Sequence, residues 1–285
     1  MEPDCALESL FVAQSNGKPD STFPDCALET TLLRPFMSAN GQPLLSVLIP
    51  VFNEAGNILP LLGEVEAALS GVVAYEILFV DDGSADGSPA ELAQARTQSA
   101  HVRVLRHEKR SGKSAALVTG FFAARGEWVQ TLDGDGQNDP ADVARIWTML
   151  HAPAPPAALG IVAGQRKRRN DGVVKWASSR IANFIRRTLL RDDTADTGCG
   201  FKLIRREAAI RLPFFDGMHR FLPALVRRAG YDIMQIAVED RPRGAGLSKY
   251  GFFGRLGAGI FDLAGVFWLM RRGTSPKATE ITRKS

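Results

Sequence analysis

The chain has 285 residues, of which 45% are hydrophobic and 23% are charged. This is the composition of an ordinary globular protein rather than a disordered or fibrous one, and the length allows one large α/β domain or two small ones. The formal net charge of +4 conceals clustered arginine pairs in the second half, such as Arg186-Arg187 and Arg227-Arg228. That half is therefore expected to prefer anionic partners, among them phosphorylated substrates, anionic lipid headgroups and nucleic acid.

The first 43 residues are turn-rich and contain a near duplication, in which Pro3 to Glu8 recurs as Pro24 to Glu29. Two copies are too few for a repeat architecture, so residues 1–43 are expected to form a flexible extension, with a short docking motif as the alternative. The start of the chain lacks the pattern of a secretory signal, and the three cysteines form no even set. These features predict an intracellular protein in a reducing compartment.

From Leu44 onward, short apolar runs alternate with amphipathic stretches of helical length. This order predicts a mostly parallel sheet with helices on both faces and with ligands bound where the strands end. The predicted strand and helix pairs are Leu44–Val51 with Ala55–Leu69, Tyr75–Val80 with Ser88–Ser99, Val102–Leu105 with Lys113–Arg125, and Trp128–Leu132 with Asp139–Leu150. Further along we predict the strands Gly160–Gly164 and Ile233–Val238 and a long helix over Val174–Leu189.

The most apolar stretch of the chain is Phe252–Met270, where apolar residues recur at helical spacing. Arg255 and Asp262 interrupt it, which leaves an uncharged run shorter than the roughly 20 residues needed to cross a bilayer. Two arrangements fit the periodicity. The helix lies in the membrane interface with Trp268 and Arg271-Arg272 near the headgroups, or it packs on the core of its own domain.

An acidic, glycine-rich string follows the predicted strand Trp128–Leu132 and reads Asp-Gly-Asp-Gly-Gln-Asn-Asp. Asp133, Asp135 and Gln137 are two residues apart, so in an extended loop their oxygens can face one point. Ligation by oxygen alone suits Mg²⁺ or Mn²⁺, and such an ion could clamp a diphosphate. Taken alone, the string is more typical of a surface turn, so the other strand ends decide between the two interpretations.

The end of the first predicted strand is also polar. The segment from Pro50 to Glu54 places an aromatic ring, Phe52, beside a hydrogen-bond acceptor, Glu54, and both are suited to a base or a ribose. Asn53 and Glu54 could equally begin the following helix. This segment alone is a weak signal.

Two more strand ends carry polar residues. After Val80, Asp82 could pair with a nucleobase N–H, whereas Ser84 and Asp86 are expected to cap the next helix. The segment from Glu108 to Ser114 ends in Gly-Lys-Ser, but a phosphate-binding P-loop would need a glycine at position 107, where the chain has histidine. We therefore expect Gly112 to allow a tight strand-to-helix turn, and Lys113 to lie near phosphate.

Together the four strand ends resemble glycosyltransferase family 2, the inverting nucleotide-sugar enzymes of the GT-A fold. Within that family they resemble the dolichol-phosphate mannose synthase type, which loads a sugar onto a polyprenyl phosphate. The resemblance covers Leu45 to Tyr250. It implies an α/β, Rossmann-like GT-A domain over residues 44–250, followed by a C-terminal interfacial helix and tail over residues 251–285.

The resemblance also implies the chemistry and the place of action. The donor would be GDP-mannose or a UDP-hexose, the acceptor a polyprenyl phosphate, and the cofactor Mg²⁺ or Mn²⁺. The resemblance implies that the protein binds an anionic membrane surface and that it does not bind nucleic acid. The implied location is cytoplasmic and peripheral, on the inner face of the cell membrane.

Individual residues take their expected roles from the same resemblance. Phe52 stands where a tyrosine is more usual, and Gly134 where an alanine is more usual, but neither change removes a metal ligand. The residues expected to bind the donor are Pro50, Phe52, Glu54, Val80, Asp82, Lys113, Asp133, Gly134, Asp135, Arg166, Arg243 and Lys249. Five of these residues are expected to be catalytic, namely Asp133, Asp135, Arg166, Arg243 and Lys249. The expected metal ligands are Asp135 and Gln137, and the residues expected to hold the acceptor are Ser179, Asn183 and Lys202.

The region in which relatives with hydroxyl acceptors carry an acidic general base reads Met218-His219-Arg220-Phe221. A polyprenyl phosphate is already an anionic nucleophile, so this absence is consistent with a phosphate acceptor. Two alternatives stay open. One is a hydroxyl acceptor with His219 as the base, and the other is a non-enzymatic module for anionic partners, whose usual binding motifs the chain lacks.

Overall fold

The computed structural model describes residues 42–151, 154–166, 186, 188–190, 194, 196–242 and 252–272, with the backbone alone at 252–258 and 260. The predicted extension over residues 1–43 lies outside this set apart from Gln42 and Pro43, and so does most of the predicted helix Val174–Leu189.

Strands and helices alternate through the first half of the described chain, as predicted. The strands are Leu45–Val51 (β1), Tyr75–Asp81 (β2), Val102–Arg106 (β3), Trp128–Thr131 (β4), Leu159–Arg166 (β5), Lys202–Arg205 (β6) and Asp232–Val238 (β7). The α-helices are Ile58–Leu69 (α1), Ser88–Gln98 (α2), Lys113–Ala123 (α3), Pro140–His151 (α4), Arg206–Ala209 (α5), Leu222–Arg228 (α6) and Phe252–Arg271 (α7), and Met218–Arg220 forms a 3₁₀ turn.

The strands form one seven-stranded sheet in the order β3-β2-β1-β4-β6-β5-β7. Four of its six neighbouring pairs are parallel, and the prediction of a mostly parallel sheet is confirmed. The short strand β6 was not predicted, and it runs antiparallel to both β4 and β5. It does not belong to the strand–helix alternation on which the prediction rested.

The strand order changes side at β1. Strands β2 and β3 follow on one side of it, whereas β4 lies on the other side. Leu45 pairs with Tyr75 of β2 on one side and with Trp128 of β4 on the other, so these three parallel strands run in register. Their carboxyl ends therefore meet at one edge of the sheet. In open α/β sheets this is the position at which ligands bind.

Side chains of β1 alternate between two buried layers, which places helices on both faces as predicted. Val47 and Ile49 belong to a core that includes residues of α1, α2 and α4, whereas Leu48 belongs to a core that includes residues of α3 and α6. A Cβ added at Gly120 of α3 would lie 2.1 Å from Leu48 Cδ1. Helix α3 therefore needs glycine at this position to approach the sheet.

Helix α7 packs on the second of these cores. Val266 is buried, and Leu263, Phe267 and Met270 contact the same cluster. The opposite face leaves Phe261 81% and Trp268 60% exposed. Packing on the domain, one of the two predicted arrangements, is thus confirmed for one face of α7. In the described part of the chain, no helix combines the length and the apolarity that crossing a membrane requires.

Candidate active site

Two of the polar strand ends brace each other. The four consecutive backbone amides from Asn53 to Gly56 donate hydrogen bonds to side-chain oxygens of the segment after β2. Asn53 has a left-handed backbone with φ of 52°, and its Oδ1 accepts a hydrogen bond from Ala85 N at 2.9 Å. The acceptors of the four amides, in order, are Ser84 Oγ at 2.9 Å, Ser88 Oγ at 2.8 Å, Asp86 Oδ2 at 3.2 Å and Glu91 Oε1 at 2.6 Å.

These contacts revise the predicted capping roles. Ser84 does not cap α2; its hydroxyl serves the amide of Asn53 instead. Asp86 binds the backbone amides of both segments. Its Oδ2 accepts a hydrogen bond from Ala55 N, and its Oδ1 accepts one at 3.0 Å from Ser88 N, at the first residue of α2. The predicted helix start at Ala55 is wrong by one turn, because α1 begins at Ile58. The amides of residues 53–56 are held by side chains of the loop after β2 and of the first turn of α2 rather than by helical hydrogen bonds.

Phe52 and Glu54 lie at the rim of the site and are only partly buried. The guanidinium carbon of Arg110 is 4.4 Å from the centroid of the Phe52 ring, in a cation–π contact. Glu54 Oε2 accepts a hydrogen bond from Asn57 Nδ2 at 3.0 Å. The sequence patterns did not point to Arg110, because its position over the ring depends on the fold of a different strand end.

Asp82 organises the loop that leads into α3. Its carboxylate accepts hydrogen bonds from the backbone amides of Ser111 and Gly112, each at 2.8 Å, and from His107 Nδ1, also at 2.8 Å. A nucleobase contact for Asp82 stays a prediction beside this observed role. The side chain of Val80 is completely buried in the core on the α3 side of the sheet, and the predicted donor contact of this residue stays a prediction.

Lys113 and Asp133 form an ion pair at the edge of the sheet. The turn predicted at Gly112 is present, with a φ of 93°, and it places Lys113 at the first position of α3. Lys113 Nζ donates a hydrogen bond to Asp133 Oδ1. Burial by itself would raise the pKa of Asp133, but the positive charges of Lys113 and Lys202 lower it below its usual value. Asp133 is therefore a carboxylate at neutral pH.

The acidic loop after β4 is ordered by its own residues. Asp133 N donates a hydrogen bond to Asn138 Oδ1 at 2.9 Å, and Gln137 N donates one to Asp135 Oδ1 at 3.2 Å. Asn138 was not among the predicted site residues, because its oxygen serves the backbone and not a ligand. Gly134 lies close to β1, since a Cβ added there would be 3.0 Å from Pro50 O.

This loop has a donor set that fits a hard divalent cation. Asp135 is 7% exposed and its carboxylate is oriented by the backbone of Gln137, whose side chain supplies an amide oxygen. Among the described residues there is no group of three or more His, Cys, Asp and Glu side chains that could enclose a metal. Two protein oxygens suit Mg²⁺ or Mn²⁺ in a site completed by water and substrate phosphates.

A small pocket opens between this loop and the 3₁₀ turn. Its lining includes Pro50, Lys113, Asp133, Gly200, Lys202 and His219. Lys202 is buried and donates to the backbone carbonyls of Cys199 and of Thr197, the latter at 3.4 Å. Burial lowers the pKa of Lys202 to about 8. The structure thus brings Lys202 to the site, while its predicted contact with the acceptor stays a prediction.

His219 is a weak base in this pocket. Burial, followed by the positive charges of Lys113 and Lys202, lowers its pKa to about 3. Its Nδ1 lies 2.8 Å from Ser114 Oγ, which in turn accepts a hydrogen bond from Gly217 N at 3.0 Å. A neutral imidazole with so low a pKa is poorly suited to remove a proton from an alcohol.

Arg166 ends β5 and is paired with Asp196. Arg166 Nε donates to Asp196 Oδ2 at 2.6 Å and a terminal nitrogen donates to Oδ1 at 3.1 Å. Burial opposes the charged form, but this pair raises the pKa of Arg166 above its ordinary value. The predicted contact of Arg166 with the donor stays a prediction. Four other predicted residues lie outside the described residues, namely Ser179, Asn183, Arg243 and Lys249.

Solved structures of two other proteins share this fold. Glucosyl-3-phosphoglycerate synthase from Mycobacterium tuberculosis, in complex with Mn²⁺, UDP and glucosyl-3-phosphoglycerate, aligns with a TM-score of 0.59 and 19% identity over 80% of each chain. A mannosyltransferase from Pyrobaculum calidifontis, in complex with GDP-Man and Mn²⁺, aligns with a TM-score of 0.58 and 18% identity over 87% of this chain and 70% of that one. At these identities the similarity establishes the GT-A fold.

Two curated relatives are more similar in sequence. Dodecaprenyl-phosphate galacturonate synthase from Rhizobium johnstonii is 33% identical over 240 residues, which are 81% of this chain and 69% of the relative. Undecaprenyl-phosphate 4-deoxy-4-formamido-L-arabinose transferase from Aeromonas hydrophila is 31% identical over 211 residues, 73% of this chain and 63% of the relative. The chain thus spans less than two thirds of the length of the second relative.

The family assignment follows from the match to a sequence profile. The profile described as glycosyl transferase family 2 matches residues 46–212, which is more than half of the chain. These residues include all of β1 except Leu45, the strands β2 to β6 and the acidic loop after β4. With its GT-A fold and its polar strand ends, the chain belongs to glycosyl transferase family 2.

Proposed function

We propose that the protein transfers a sugar, with inversion, from a nucleotide-sugar to a polyprenyl phosphate at the cytoplasmic face of the membrane. GDP-mannose and UDP-hexoses are the donors to be tested first. A lipid phosphate oxygen would form the new bond to the anomeric carbon as the bond to the nucleoside diphosphate breaks. Both curated relatives are named for polyprenyl-phosphate products or acceptors, which supports this acceptor class.

The observation that carries the proposal is that the carboxylate and the imidazole of the described pocket, Asp133 and His219, are both poor bases, while Lys202 donates its hydrogen bonds to the backbone carbonyls of Thr197 and Cys199. Asp133 is held by Lys113 as a carboxylate of low pKa, and His219 has a pKa of about 3. An alcohol acceptor would have to lose a proton, and neither group is a strong base for it. A phosphate monoester already carries the attacking charge.

The oxygens of Asp135 and Gln137 would hold Mg²⁺ or Mn²⁺, and the bound ion would supply positive charge for the departing diphosphate. The chain contributes the remaining electrostatics. Lys113 and Lys202 place two cations beside Asp133 at the carboxyl edge of the sheet. Cations that are already in place where negative charge develops lower the barrier without reorganisation. Arg243 and Lys249 are predicted to add to this charge.

A donor screen tests the proposal. Purified protein would be incubated with Mn²⁺ and a GDP- or UDP-sugar, with and without undecaprenyl phosphate, while release of nucleoside diphosphate is followed. We expect lipid-dependent release from one donor, and its loss in Asp135→Ala. Release that ignores the lipid would indicate another acceptor. If no donor is consumed, the proposed function is wrong.

We also propose that α7 lies on an anionic membrane surface through its exposed face. Phe261 and Trp268 are separated by about two helical turns on that face, and Arg271 and Arg272 follow at its end. Arg272 lies 5.8 Å from the centroid of the Trp268 ring. An apolar stripe beside cations is the arrangement that binds membrane interfaces.

Co-sedimentation with vesicles tests this location. The protein is expected to bind vesicles that contain phosphatidylglycerol more tightly than vesicles of phosphatidylcholine alone, and Trp268→Ser should weaken that binding. Phe122→Ser is the matched control, because Phe122 of α3 is 61% exposed and Trp268 is 60% exposed. Equal loss in both variants would refute a specific role for α7.

A further inference from the structure

The end of β7 is joined to the acidic loop after β4. Asn138 and Asp240 form an isolated antiparallel bridge. Next to it, Arg241 N donates a hydrogen bond to Gln137 O at 3.0 Å, and Gln137 Nε2 makes a long contact of 3.5 Å with Arg241 O. Two segments that are remote in the sequence therefore share a short stretch of paired backbone at the site.

The side chain of Arg241 secures this junction at two more points. One terminal nitrogen lies 2.6 Å from Glu64 Oε2 on α1, and the other lies 2.6 Å from Asp139 Oδ1, directly before α4. A guanidinium is planar and presents its donors in a fixed fork, so it can hold two carboxylates at once in a defined geometry. Arg241 thus ties β7, α1 and the acidic loop together.

The junction acts on the two oxygens assigned to the cation. The backbone of Gln137 is held by Arg241 N, and the amide of the same residue orients Asp135 Oδ1 at 3.2 Å. Gln137 Nε2 faces Arg241 O at 3.5 Å, so the side-chain amide oxygen of Gln137 is the end that can bind a cation. A shift of Gln137 would therefore displace both oxygens together.

We propose that Arg241 is a positioning residue that holds Asp135 and Gln137 in the arrangement that binds a divalent cation with the donor diphosphate. This rests on the proposed function, in which those two residues hold the ion. Arg241 and Glu64 are 39% and 47% exposed, so solvent screens this ion pair and its contribution to global stability is modest. Its effect is expected on the metal site and not on folding.

The chain offers a matched control in Arg145. This residue binds Asp142 at 2.6 Å and the carbonyl of Ala237 at 2.9 Å, so it secures the same end of β7. Among the described residues, no hydrogen bond or ion pair joins its side chain to residues 135–139. Arg145→Ala therefore removes a comparable surface ion pair and strand contact without touching the two oxygens.

The test compares Arg241→Ala, Arg241→Lys and Arg145→Ala in the full chain. Mn²⁺ binding would be measured by electron paramagnetic resonance of the free ion in the presence of UDP or GDP, and Tm by calorimetry. We expect Arg241→Ala to raise the Mn²⁺ dissociation constant by about tenfold, the usual scale for residues that orient metal ligands. Arg241→Lys should be intermediate, since an ammonium keeps the charge but not the fork. Arg145→Ala should lower Tm to a similar extent and leave the constant within about twofold of the wild-type value.

The inference is overturned if Arg241→Ala leaves the dissociation constant unchanged, if Arg145→Ala raises it equally, or if the wild-type protein binds no Mn²⁺ with either nucleotide. The readout requires no turnover. Failure of the proposed function would appear separately, as Mn²⁺ binding that depends on Arg241 in a protein that consumes no donor in the presence of undecaprenyl phosphate.

Discussion

Arg166 and Asp196 meet through two parallel hydrogen bonds, from Nε to Oδ2 at 2.6 Å and from a terminal nitrogen to Oδ1 at 3.1 Å. Their side chains are only 19% and 9% exposed. Asp196 Oδ1 also accepts a hydrogen bond from Gly198 N at 3.2 Å. The pair therefore fixes the glycine-rich segment before β6 against the end of β5, and this segment forms one wall of the pocket.

Removal of the Asp196 carboxylate should therefore weaken the fold as well as the site. In Asp196→Ala the guanidinium of Arg166 stays largely buried without its partner, and we expect a loss of roughly 3 kcal/mol in the free energy of unfolding. Urea unfolding followed by circular dichroism measures this loss. If stability is unchanged and only donor affinity falls, the pair would belong to the substrate site and not to the framework.

Gly200 packs closely against the Asp133 carboxylate and leaves no room for a larger residue. A Cβ at Gly200 would lie 2.4 Å from the carboxylate, whereas a Cβ at Gly198 would meet its nearest neighbour at 3.5 Å. Gly200→Ala should displace Asp133 from Lys113 and lower the rate of sugar transfer by about tenfold or more, because small displacements at a reacting centre are costly. Gly198→Ala is the control and should stay near the wild-type rate. Equal rates in the two variants would contradict this account of Asp133.

Asp135 is expected to act mainly in the transition state. Asp135→Asn keeps the shape but removes the charge that suits a divalent cation, so kcat should fall by about a hundredfold or more, with a smaller change in donor affinity. Steady-state rates of nucleoside diphosphate release give kcat, and isothermal titration with the nucleotide-sugar gives the affinity. A parallel loss in both quantities would assign Asp135 to ground-state binding.

His219 should make the protein sensitive to acid. Its pKa is lowered to about 3, so between its ordinary pKa of 6.5 and that value the unfolded chain holds a proton that the folded protein does not. Stability at this site is therefore lost as the pH falls through that window. We expect His219→Gln to remove roughly 2 kcal/mol of the destabilisation between pH 7 and pH 4.5. Urea unfolding at both pH values measures the difference.

The same pKa predicts the pH profile of the reaction. A catalytic histidine with an ordinary pKa would give an acid limb near pH 6.5, and that limb would disappear in His219→Gln. Because His219 is neutral throughout pH 5.5–8.5, we expect the wild-type and variant profiles to have the same shape there. An acid limb present only in the wild type would favour the hydroxyl-acceptor alternative.

Local patterns were enough to predict most of the fold. The alternation of apolar runs with amphipathic stretches predicted β1 to β4 and helices α1 to α4 within a few residues, because buried strands and surface helices impose different periodicities. Strands β5 and β7 were predicted separately from their own apolar runs. The acidic string after Trp128–Leu132 was placed at the carboxyl edge by the same logic, since parallel strands end together. Strand β6 was missed because a short strand after a glycine-rich segment has no periodicity of its own.

Long-range pairing is what local patterns could not supply. The base contact predicted for Asp82 stays a prediction, but its hold on the loop before α3 was not predicted, because the donors are backbone amides without any side-chain signature. Arg241 meets Glu64 only because β7 and α1 approach the same loop. The sequence alone therefore determined the residue types and the chemistry that they allow. The tertiary structure determined the partner of each charged group, because an ion pair depends on distance in space and not on separation along the sequence.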